Sequence, residues 1–165
     1  MTIKTLMASS LLLALGSLNV HAADILTQKS IGLEAANDIA RSSIDHCRKA
    51  GYQVSAVVVD RHGNLRSAMR DDLAARQTLE IAQRKANMVI MSGIASGKFR
   101  AARPDIQQEL NHIDGLIVMQ GGLPIRAAGS LIGAIGVSGA PGGEKDEACA
   151  AAALEQIEER LEFAE

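Results

Sequence analysis

Beyond its first 22 residues the chain carries three histidines, His46, His62 and His112, and four methionines, Met69, Met88, Met91 and Met119. Imidazole nitrogen and thioether sulfur are, with the thiols of Cys47 and Cys149 and the Tyr52 phenol, side-chain donors that could ligate a haem iron. His62 sits in the compact turn Asp60-Arg61-His62-Gly63-Asn64, where a loop ligand is geometrically easy and a turn-forming polar role explains the residue equally well. His46 lies beside an apolar helix face and reads first as a satisfied surface histidine, while His112 precedes Gly115 and could reach a pocket mouth. Each methionine has core filling as its commoner use. Arg70, Lys85 and Arg126 offer charge-assisted hydrogen bonds to a small carboxylate; for Lys85 the competing use is a solvated helix face. Asp60, Asp71 and Asp146 supply carboxylates, but no spacing fixes a partner for any of them, and acid–base chemistry needs one. Nucleophile motifs, HExxH and oxygen-ligand metal loops are absent from the sequence, which ranks a binding protein above an enzyme. Cys47 and Cys149 allow one intramolecular pairing without CxxC or zinc spacing, so two buried thiols and a disulfide both stay open.

The elements that must position these groups meet in the stretch from Gly121 to Ile157. An apolar strand, Leu131 to Val137, passes through the glycine-rich loop Gly139 to Gly143 into an acid-led, alanine-rich helix. A helix N-terminus reached in this way presents unpaired N–H groups to whatever lies there. The loop has neither GxxxxGK[ST] nor GxGxxG spacing, and Asp146 and Glu147 would oppose an anion while stabilising the helix dipole. It therefore reads first as a structural cap and hinge, and second as a ligand wall.

Upstream, Leu33, Ala36, Ala40, Ile44 and Cys47 recur at helical spacing from Ser30 to about Arg48. Val54 to Val59 reads as a strand buried on both faces, and residues 65–70 alternate as a partly exposed hairpin strand. A second helix is expected from about Ala74 to Met91, closed by Ser92-Gly93. Between Ile94 and Asp114 the pattern predicts a loop with one helical turn from about Asp105 to Leu110. Three short strands follow, at 116–119, 123–126 and 130–137, turning at Gly121-Gly122 and Ala128-Gly129. Pro124 places the middle one at a sheet edge or an irregular position, because proline donates no ladder hydrogen bond. The order gives a mixed α/β (α+β) domain with five strands, mainly antiparallel and covered by helices.

Lys4, the apolar run Leu11 to Leu15 and Val20-His21-Ala22 have the charge, length and small-residue cleavage pattern of a signal peptide. Residues 1–22 are accordingly expected to be removed, leaving 23–165 as one domain in a periplasmic or secreted protein. The apolar run is too short for a transmembrane span. With 17 basic and 19 acidic residues in the whole chain, the charge balance argues neither for nucleic acid nor for an anionic membrane surface. There is no Trp, one Tyr and two Phe, so Val, Ile, Leu, Met and Ala must build the core. Alanine-bearing helices pack closely, which favours extensive helix-to-sheet or subunit contact over a deep aromatic pocket.

VVVDRHGNLRSAMRDD, TLEIAQRKA, GGLPIR and GSLIGAIGVSGAPGGEKDEACA, in that order, resemble the GlcG/HbpS family, also called haem-degrading HbpS-like or DUF336 and related to the C-terminal domain of PduO-type proteins. The resemblance covers roughly Ser30 to Ile157. It implies a profilin-like or roadblock-like sandwich around a central antiparallel sheet, a tendency to form homo-oligomers, and haem as a possible cofactor. The family's commoner hairpin motif resembles DRGGH, whereas this chain reads DRHGN, with Asn64 in the usual histidine place and His62 as the displaced candidate. On that basis His62, His112 and Met69 are the candidate haem ligands, and Lys85 and Arg126 the candidate partners of its propionates or of another small anion. Strand neighbourhood in the family fold would bring the end of the first helix and the start of the last to one end of the sheet, placing Cys47 beside Cys149.

The expected function is an exported small-ligand-binding or sensing accessory that takes haem or a related anionic ligand. Two alternatives remain: an enzyme or enzyme accessory in glycolate- or diol-type catabolism, as the resemblance suggests, and a structural homo-oligomer without catalysis. No nucleic-acid partner is expected, nor integral membrane association after signal cleavage.

Overall fold

The structure is a computed structural model that describes residues 26–163. The expected signal peptide lies outside them. Helix α1 (Leu33–Lys49) leads into the hairpin of β1 (Ser55–Asp60) and β2 (Leu65–Arg70), followed by α2 (Gln77–Ser92). Next come α3 (Ser96–Ala102), a 3-10 turn (Pro104–Ile106) and α4 (Gln107–Asn111). A second hairpin, β3 (Gly122–Ala127) and β4 (Ser130–Ser138), hands the chain to α5 (Gly143–Glu155) and α6 (Glu158–Glu162).

The four strands form one antiparallel sheet in the order β2-β1-β4-β3. Strand β1 feeds both faces, as its unbroken apolar run requires. Ala56 and Val58 enter the core shared with α1 and α5, whereas Val57 and Val59 meet Ala82, Ala86 and Val89 of α2. Helix α2 lies very close to β3 and β4 because glycines stand at the closest points of contact. A Cβ on Gly136 would stand 1.9 Å from the Ala82 carbonyl oxygen, and one on Gly122 would stand 2.6 Å from that of Lys85. The alanine content thus acts at the helix-to-sheet contact. On the other face Cys47 of α1 and Cys149 of α5 form a disulfide with a Cα separation of 5.4 Å, which resolves the two cysteine alternatives.

One expected strand is missing. Residues 116–119 run unpaired, so the sheet has four strands rather than five. Local bonds replace a ladder: Leu116 N donates to Ile113 O at 3.1 Å and Val118 N to Asn111 Oδ1 at 2.7 Å, while Asn87 Nδ2 holds the preceding Gly115 O at 3.0 Å. The outer edge of β3 is also closed to them. Pro124 has no N–H to offer, and Gly122 N already donates to Ser96 Oγ at 2.9 Å. Pro124 does occupy an edge strand, since β3 pairs only with β4. The polar excursion is more helical than its pattern indicated, with α3 in place of loop. Helix α2 begins three residues later than expected, because residues 71–74 close a turn through Ala74 N to Asp71 O at 3.1 Å.

Candidate functional site

His62, Gly63, Asn87, Ile90 and Met91 line a cleft of about 220 Å³ between the β1–β2 turn and the C-terminal half of α2. The turn is built by Asp60, whose Oδ1 accepts from His62 N (2.8 Å) and Asn64 N (3.0 Å) and whose Oδ2 accepts from Asn64 Nδ2 (3.1 Å). Desolvation pushes the Asp60 carboxyl up, but the hydrogen bonds from Asn64 and His62 outweigh it and leave the group below the usual carboxylate range. Gly63 turns the chain with φ at 83°, a left-handed conformation that glycine adopts without strain. The His62 side chain is exposed, and its ring makes no hydrogen bond among the described residues. Across the cleft stands Met91, 47% exposed. Asn87 is pinned by its Nδ2 bond to Gly115 O, while its buried Oδ1 has no hydrogen-bond partner. The cleft therefore offers a free imidazole, a thioether and an apolar wall at Ile90.

The other candidate residues lie elsewhere. His112 is exposed at the C-terminal cap of α4 and lines none of the described clefts. Met69 is half-buried on β2, packed against the α1–α5 core. Arg126 is exposed on β3, donating to Gly93 O at 2.8 Å and Gly129 O at 3.1 Å. His46 is the satisfied histidine expected: Nδ1 donates to Ser42 O at 2.8 Å, and Gln156 Nε2 lies 3.4 Å from Nε2.

Lys85 requires a correction, because it does not lie on a solvated face. It is 1% exposed, with Nζ donating to Asp146 Oδ2 at 2.7 Å and to Val137 O at 2.9 Å. Asp146 Oδ1 accepts from Ala140 N at 2.9 Å, so one carboxylate joins α2, the glycine loop and α5. Burial pushes the Asp146 carboxyl above its usual range, with the Lys85 charge opposing the shift. Space for the ammonium comes from Gly121, where a Cβ would stand 2.8 Å from Nζ. Asp71 is fixed as well. Arg48 donates to its two oxygens from Nε at 3.1 Å and from Nη2 at 2.5 Å, and this bidentate contact holds the carboxyl below its usual range.

The family model described as "Haem degrading protein HbpS-like" matches residues 31–155, most of the chain. The chain belongs to the HbpS-like family. Among solved structures, the crystal structure of HbpS is 34% identical, with a TM-score of 0.76 over 83% of this chain and 96% of that one. The DUF336 protein ORFY of Klebsiella pneumoniae is 27% identical, with a TM-score of 0.77 over 84% and 97%. The PduOC–haem complex shares the fold at 23% identity, with a TM-score of 0.71 over 78% and 95%. No curated protein sequence matches the chain.

Within this HbpS-like domain, the fold joins residues that lie far apart in the sequence. Asn87 carried no signal, because its role depends on Gly115, 28 residues away. Met91 stood among four equivalent methionines until the turn at His62 was placed opposite it. The Lys85–Asp146 pair spans 61 residues and could have been found only as a lysine on an otherwise alanine-bearing, sheet-facing stripe, since Lys85 falls between Ala82 and Ala86.

Proposed function

We propose that this HbpS-like protein is an exported accessory that binds haem at the His62 cleft. The observation that carries the reading is the pairing of an unengaged imidazole, His62, with the Met91 thioether on the walls of one cleft. Both are donors that haem iron accepts. Ile90 would pack against its apolar face. Haem bound there supplies a redox-active iron whose potential follows its axial ligands and exposure. The chain's own residues hold and orient it.

A cleft of about 220 Å³ lies below the range of about 300–1,000 Å³ typical of enclosed ligand sites, so the ligand would keep an open side. Leu65, Met91, Ile94 and Ile113 are 41–53% exposed, and Met91 lines the cleft itself. A second copy of the chain docked on this surface would cover that side, in keeping with the expected homo-oligomer. The disulfide supports an oxidising compartment and hence export, periplasmic or secreted.

Titration of the mature protein with haemin, followed in the Soret region, tests the site. Saturable binding is expected, with His62→Ala weakening it and altering the band. No saturable spectral change, or a His62→Ala protein indistinguishable from the parent, would overturn the assignment. Sedimentation across a wide concentration range tests the assembly, and intact mass of the exported protein tests removal of residues 1–22.

A further inference from the structure

A second, larger cleft lies on the opposite face of the sheet from the His62 cleft. It measures about 520 Å³ and runs between the edge strand β3 and helices α5 and α6. That volume falls within the range of small-molecule sites, about 300–1,000 Å³. Leu123, Ile125, Leu154 and Leu161 give it apolar walls, with Ile125 and Leu161 themselves buried.

Its rim is charged asymmetrically. Glu155, Glu158 and Glu162 line the cleft, all three are exposed, and none forms an ion pair among the described residues. Arg126 is the one basic side chain in the lining, and its guanidinium is held by the Gly93 and Gly129 carbonyls. The lining carries no His, Met, Cys or Tyr. Haem is therefore poorly served on two counts, having no axial ligand and an acidic rim facing its propionates.

An extended peptide is also disfavoured. Adding a strand requires the outer backbone of β3, where Pro124 has no N–H and Gly122 N is already bonded to Ser96 Oγ. We propose that this cleft binds a small organic cation with an apolar body, such as an alkylated amine or quaternary ammonium, with the body against Leu123 and Leu154 and the charge at Glu155 and Glu158. The carboxylates attract the charged end, and burial of the apolar body supplies most of the binding free energy.

Methyl-labelled mature protein titrated with decyltrimethylammonium below its micelle concentration, with decanoate of equal chain length as the paired probe, tests the site by NMR. The ammonium is expected to shift the Leu123, Ile125 and Leu154 methyls saturably, and more weakly as salt is raised. Decanoate should not. Glu155→Gln combined with Glu158→Gln, both at exposed positions, should weaken the ammonium by about three- to tenfold, the scale of two partly screened charge contacts. Equal binding of both probes, insensitivity to the double substitution, or shifts mapping elsewhere would each overturn the proposal. The His62→Ala protein should bind the ammonium unchanged, so this site stands or falls apart from the haem reading.

Discussion

Lys85 Nζ and Asp146 Oδ2 are 2.7 Å apart, with side chains only 1% and 4% exposed, and the pair ties α2 to α5 through the end of β4. Removing one member of a buried pair strands the other charge, at a cost of about 3–5 kcal/mol. Lys85→Met should lower the unfolding free energy by that amount in urea titrations. Lys85→Met with Asp146→Leu should recover most of the loss, because an apolar pair of similar volume is often neutral or better. A double variant no more stable than the single one would show that the contact to Ala140 N, rather than the ion pair, matters most.

The Cys47–Cys149 disulfide closes a loop with a sequence separation of 102. Chain-entropy arguments give such a loop about 4–5 kcal/mol. Cys47→Ala with Cys149→Ala, or reduction of the parent protein, should lower the denaturation midpoint accordingly. Non-reducing peptide mapping that recovers two free thiols would remove the basis for the effect.

Gly136→Ala should destabilise the domain through the α2–sheet contact. Its methyl would stand 1.9 Å from the Ala82 carbonyl oxygen, a backbone atom that cannot swing aside. Overpacking of this kind costs about 1–3 kcal/mol. A denaturant midpoint equal to that of the parent would mean that α2 sits further from β4.

Acid sensitivity should centre on Asp71, whose carboxyl is lowered first by its hydrogen bond from Arg48. A depressed folded-state value stabilises the fold above the unfolded value, about 3.9, and that contribution is lost as pH falls through the folded value. Asp60 acts in the same sense. Asp146, raised by burial, acts in the opposite one, its contribution diminishing as pH rises above the ordinary carboxyl range. Asp71→Asn should be less stable than the parent at neutral pH and show a flatter decline below about pH 4. Parallel stability–pH curves for the two proteins would count against the assignment.

Local chemistry makes much of the fold legible in the sequence. Val54 to Val59 reads as a strand buried on both faces or nearly so, Pro124 points to an edge or irregular position, and the Leu33-to-Cys47 stripe marks one helix face. The segment 116–119 failed for a non-local reason. Its apolar residues suit a strand, but Leu116 N and Val118 N are taken by Ile113 O and Asn111 Oδ1, and Gly122 N on the neighbouring edge of β3 is taken by Ser96.

The candidate site divides in the same way. The sequence by itself determined the mixed α/β class, the compact turn that carries His62, and a family resemblance that the HbpS-like match bears out. Those follow from hydrophobic period, turn chemistry and residue order, which are written within a few residues of one another. Only the tertiary structure decided that Met91 and Asn87 face His62, that Cys47 joins Cys149, and that Lys85 is buried against Asp146 rather than solvated. These relations depend on how closely α2 and α5 approach the sheet, and that approach is set by glycines and alanines whose missing side chains have no meaning until the opposing backbone is in place.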